Sequence, residues 1–118
     1  MSTMALVQGP DGVVAAWETD GQIYFAGTRP GTTDFTEPRS VPGESRARKH
    51  PSLAFNARGE LLVAWAEGTG WERGGALAWQ VYDRDGKPTG ERGRVDGGIP
   101  VWGLPTAVGT DGGFTVIH

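Results

Sequence analysis

The stretch 51-PSLAFNARGELLVAW-65, from Pro51 to Trp65, decides how the rest of the chain is read. An apolar run at Leu53-Ala54-Phe55 gives way to Asn56-Ala57-Arg58-Gly59, and a second run, Leu61-Leu62-Val63-Ala64-Trp65, follows. Two short apolar runs around a polar, glycine-containing tetrad spell a β-hairpin, because Asn and Gly accept the left-handed backbone that tight turns use. Upstream, Ala5-Leu6-Val7 passes through Gly9-Pro10-Asp11-Gly12 into Val13-Val14-Ala15-Ala16-Trp17. Downstream, Thr106-Ala107-Val108 passes through Gly109-Thr110-Asp111-Gly112-Gly113 into Phe114-Thr115-Val116-Ile117-His118.

The three copies end at Trp17, Trp65 and His118, so they stand 48 and 53 residues apart. A repeat of that length matches one four-stranded blade of a β-propeller, with each blade burying its apolar faces against its neighbours. The expectation is an all-β fold of about two and a half four-stranded β-propeller blades within one domain, residues 1–118. The blade-like repeats cover 4–50 and 51–104, with a half blade at 105–118. A β-sandwich or an irregular barrel is the alternative.

In chain order, the first hairpin runs from Met4 to Trp17, and Asp20-Gly21 turns into a third strand, Gln22 to Gly27. Asp34 to Val41 reads as an outer strand whose Pro38 is tolerable only at a sheet edge, where no ladder bond is lost. The second repeat inserts a longer loop, Ala66 to Gly75, before the strand Ala76 to Tyr82, the turn Asp83 to Gly86 and an outer strand over Glu91 to Asp96. Ten strands grouped four, four and two leave both terminal sheet faces bare, and large bare apolar faces invite association. A propeller closes with typically four to eight blades, so further blades or further copies would complete it.

Composition agrees and excludes several classes. Twenty glycines and eight prolines fall between apolar runs, as turn residues do, and no stretch of ten residues free of Gly and Pro has helical periodicity. The net charge is −3 and the arginines are scattered, which argues against a nucleic-acid footprint. The one basic run, Arg46-Ala47-Arg48-Lys49-His50, reads as a solvated connection. With no cysteine there is no disulfide, thiolate metal site or Cys nucleophile. No apolar run has the length of a membrane span, and the N-terminus has neither a basic region nor the apolar core of a signal peptide.

His50 to Trp65, H-P-S-L-A-F-N-x-x-G-E-L-L-V-A-W, resembles the inner hairpin of bacterial sialidase-like, BNR-type propellers, and Asp34 to Val41, D-F-T-E-P-R-S-V, resembles the outer strand of their blades. The likeness is at blade level, extends over most of the chain and is nearest to the C-terminal blades of such proteins. It implies a propeller fold and a secreted or periplasmic location. The family's Asp-box, S-x-D-x-G-x-x-W, is absent: Asp83-Arg84-Asp85-Gly86 has another offset between Asp and Gly, and no aromatic closes it. The family's catalytic arginines, Tyr/Glu pair and acid/base Asp match no positions here, so no active site is carried over.

The residues supply no catalytic set of their own. Asp83 and Asp85 flank a turn and suit it, and Glu67 and Glu72 read as solvated loop charges. His50 and His118 lack the further ligands a metal needs, so no metal or other cofactor is expected. The candidate ligand site is Trp71, Glu72 and Arg73 in the inserted loop, together with Trp102, where an aromatic platform and polar groups would suit a glycan. The alternative is that Trp71 covers a sheet edge and Arg73 pairs with Glu72 or Glu67. Trp17, Trp65 and Trp79 sit at strand positions and read as packing. Function is therefore expected to be non-catalytic: a scaffold or interaction module completed by self-association or by further blades. A lectin-like module and a fragment of a sialidase-like glycoside hydrolase are the alternatives.

Overall fold

A computed structural model describes residues 4–43, 47–69, 74–100 and 103–118. The described residues form ten strands, β1 (Ala5–Gly9), β2 (Gly12–Thr19), β3 (Gln22–Gly27), β4 (Arg39–Ser40), β5 (Arg48–Phe55), β6 (Leu61–Glu67), β7 (Gly75–Tyr82), β8 (Pro88–Ile99), β9 (Thr106–Gly109) and β10 (Phe114–Ile117). They form three antiparallel sheets, β1-β2-β3-β4, β5-β6-β7-β8 and β9-β10, none closed on itself, and the described residues hold no helix. The four, four and two grouping read from the repeat is thus the grouping observed.

Local chemistry makes the turns. Asp20 and Gly21 both take positive φ, 50° and 77°, the two-residue turn whose twist matches the flanking strands. The Gly21 amide donates to Glu18 Oε2 at 2.9 Å, which closes it. In the central hairpin Asn56 Oδ1 accepts from the Arg58 and Glu60 amides, both at 3.0 Å, while Asn56 Nδ2 donates to Glu60 Oε1 at 2.8 Å. Asp83 Oδ1 accepts from the Asp85 and Lys87 amides at 2.9 Å, so this carboxylate belongs to its turn.

Pairing registers show how the layers stack. In the second sheet one face carries Leu53, Leu61, Val63, Trp65, Ala78 and Tyr82 and packs on the first sheet through Ala16, Ile23 and Phe25. The other face carries Ala64, Ala66 and Leu77 and packs on Val116 of the terminal hairpin. Every residue of β6 is buried, as a strand covered on both faces requires, and LLVAWAE is accordingly apolar almost throughout. The stacking has one sense. Val14 and Ala16 of β2 face the sheet that follows, as do their repeat counterparts Leu62 and Ala64 of β6.

Three expectations are corrected. The outer strand over Asp34 to Val41 shrinks to Arg39–Ser40 plus an isolated bridge between Thr28 and Phe35, because Pro38 brings no N–H to the ladder. The outer strand over Glu91 to Asp96 instead runs from Pro88 to Ile99, held to β7 by a ladder with two register shifts. The loop over Ala66 to Gly75 is shorter at both ends, since Ala66 and Glu67 finish β6 and Gly75 begins β7.

Candidate functional site

The two end faces of the stack are the first candidate. In the pairing register Leu6 stands opposite Ala15 as Leu53 stands opposite Val63, and Val13 and Leu61 likewise share a place in the repeat. Leu53 and Leu61 are 8% and 7% exposed under the first sheet, whereas Leu6 and Val13 are 65% and 36% exposed. Beside them Trp17 and Tyr24 stack with ring centroids 6.4 Å apart. At the opposite end Val108 and Ile117, on the outward side of the terminal hairpin, are 47% and 61% exposed. The sequence pattern is the same at each repeat, and only the presence of a neighbouring sheet decides which copy is buried.

A buried charge cluster joins the first two sheets. Arg48 and Glu67 are both buried and pair across β5 and β6, with Arg48 Nε 2.9 Å from Glu67 Oε2. That contact is an ion pair rather than an aligned hydrogen bond, for the Arg48 Nε–H has no acceptor in line. Arg48 Nη1 donates to Gln22 Oε1 at 3.0 Å and to the Pro42 carbonyl at 2.8 Å, which reaches across to the first sheet. Glu67 Oε2 accepts from Trp65 Nε1 at 2.7 Å, and Arg94 Nε approaches Oε1 at 3.3 Å. The Arg48 guanidinium also lies 5.2 Å from the centroid of the Trp65 ring. The reading of Arg46 to His50 as a solvated connection therefore fails at Arg48, and the reading of Glu67 as a solvated loop charge fails with it (Arg46 lies outside the described residues).

Between the first two sheets, at the end where the turns gather, lies an open cleft of about 280 Å³. Its floor includes Phe25 and Tyr82, whose rings meet at 4.8 Å, and the Arg39 guanidinium sits 5.0 and 5.1 Å from their centroids. Burial raises the Tyr82 phenol above its ordinary pKa, and the charge of Arg39 offsets part of that rise. Asp11 and Asp85 stand at the rim. Arg39 stacked on two rings was missed by sequence reasoning, since it lies 43 residues from Tyr82 and no local pattern joins them.

Of the residues proposed from sequence for a ligand, Trp71, Glu72, Arg73 and Trp102 all lie outside the described residues. His50 sits at positive φ in an irregular step of β5, and burial, with Lys49 next, lowers its pKa. The His118 ring bonds the Gly98 carbonyl through Nδ1. Among the described residues no group of three His, Cys, Asp or Glu side chains gathers as a metal site.

Compared with known proteins, the chain matches no family model, no curated protein and no solved structure.

Proposed function

We propose that this chain is a non-catalytic interaction module, a segment of β-propeller blades whose end faces are completed by further blades or by copies of itself. The observation that carries the reading is the contrast between Leu6 and Leu53 at one place in the repeat, bare in one sheet and buried in the next. Sheets stacked with one facial sense, two of them four-stranded as a blade is, suit a propeller arc better than a two-sheet sandwich, in which inner faces meet face to face. Among the described residues no catalytic constellation competes with this reading. Asp83 serves its own turn, and Glu67 is held by Arg48.

Sedimentation over a roughly hundredfold range of concentration tests it. The expected result is a mass above 12.5 kDa that rises with concentration, and a return to 12.5 kDa for Leu6→Glu with the same unfolding temperature. A wild-type chain that stays at 12.5 kDa throughout and binds no apolar dye would retire the proposal.

A further inference from the structure

The third sheet stops at two strands among the described residues, and β10 presents an open edge. What belongs beside it can be read from the other two sheets. Ala16 pairs with Phe25, and its counterpart Ala64 pairs with Trp79, so Trp79 holds in β7 the place that Phe25 holds in β3. Phe25 is buried, and the group on top of it is Tyr82, from the third strand of the following sheet. Tyr82 in turn pairs with Leu61. The third-sheet counterpart of Leu61 is Phe114, because Phe55 pairs with Leu61 as Gly109 pairs with Phe114 at the turn end of each hairpin.

Trp79 is only half-buried, its ring resting against Gly93, which stands where Arg39 stands in the first sheet. With Leu77, Val81 and Val95 on one side and Phe114 and Val116 of β10 on the other, it lines a groove of about 310 Å³. Val95 is exposed there, and the His118 ring, tied to the Gly98 carbonyl, bounds the groove at the end of β10. The groove thus continues the interface that the terminal hairpin already makes with the second sheet, over the strand that in the first interface is covered by β7.

We propose that this groove receives an extended polypeptide strand from a partner, antiparallel to β10, with a large aromatic residue opposite Phe114 and resting on Trp79. The strand would gain main-chain hydrogen bonds from the open edge and specificity from alternate side chains, as strand addition does elsewhere. The inference rests on the stacked-blade reading above and adds the occupant, its direction and its register.

The test uses a capped peptide copying Gly75–Tyr82, GALAWQVY, with lysines added for solubility, in the Leu6→Glu background. Calorimetry gives its affinity, and amide hydrogen exchange reads Phe114 to Ile117. Binding should slow exchange in β10 at least tenfold. Replacing the peptide's tyrosine by serine should weaken binding about tenfold, as should Trp79→Ala, with Trp79→Phe keeping most of the affinity. No binding at about 1 mM, equal binding of a scrambled peptide, or binding without protection of β10 would overturn the proposal. Protection of β10 that rises with protein concentration in the absence of peptide would assign the groove to a second copy and overturn it too. Should the peptide fail while Leu6→Glu still lowers the mass, only the acceptor groove falls. Should the mass never rise while the peptide binds in register, the end-face association falls and the groove stands.

Discussion

Glu67→Gln is the sharpest single test of how the two large sheets are joined. The carboxylate is buried, 2.9 Å from Arg48 Nε and 2.7 Å from Trp65 Nε1, and Arg48 also donates to Gln22 of β3 and to the Pro42 carbonyl just beyond β4. Removing one member of a buried ion pair leaves an uncompensated charge and costs about 3–5 kcal/mol. Small domains have about 5–15 kcal/mol in all, so at least about a fifth of the stability should go. At a urea dependence of about 1.5 kcal/mol per molar, the unfolding midpoint should fall by roughly 2–3 M. Arg48→Met should cost a similar amount, while the double variant should lose clearly less than the two losses together, because it leaves neither charge stranded. Exposed pairs are worth only about 0–1 kcal/mol. Losses of that size in both single variants, added simply in the double one, would refute the argument that this pair is desolvated and shared between sheets.

Two further outcomes follow from other sites. A Cβ at Gly109 would lie 1.8 Å from the Phe55 carbonyl oxygen, so Gly109→Ala should push the terminal hairpin off β5 at a cost of at least about 1–3 kcal/mol. Amide exchange should then accelerate in β9 and β10 while the first two sheets keep their protection, and uniform acceleration would contradict the layered account. His50 has a lowered pKa in the folded chain, so the unfolded chain takes up its proton first as pH falls. Stability should therefore be full above about pH 6.5, the ordinary value, and decline below it. His50→Gln should flatten that part of the profile, measured by urea unfolding at several pH values.

The hairpins were legible because their chemistry is local. Asp20-Gly21 and Asn56 to Gly59 carry their own turn geometry, and the run from Leu61 to Glu67 is apolar enough to belong to a strand buried on both sides. The edges were less so. Asp34 to Val41 looks like one strand, but with Pro38 inside it only Arg39 and Ser40 pair with β3 as a strand, while Phe35 makes an isolated bridge to Thr28 and the Thr36 and Val41 amides donate singly to Gly27 and Ile23. The pairing of Arg48 with Glu67 was not legible for a definable reason. Carrying the register outward from Phe55–Leu61 without interruption sets Lys49 against Glu67, but the irregularity between Lys49 and Ser52 shifts it by one and sets Arg48 there instead. The signal was Pro51 inside a strand, since proline within a sheet marks a bulge or an edge. The contact of Arg39 with Tyr82 joins two sheets and has no trace in local spacing.

The common orientation of the layers gives the stack a polarity with a practical consequence. The bare face at Leu6 and the bare face at Ile117 are different surfaces, so a copy that docks in the native sense brings its front to the back of its neighbour. Contacts of that kind are heterologous, and the number of copies they admit is set by the angle between successive layers, not by two-fold symmetry.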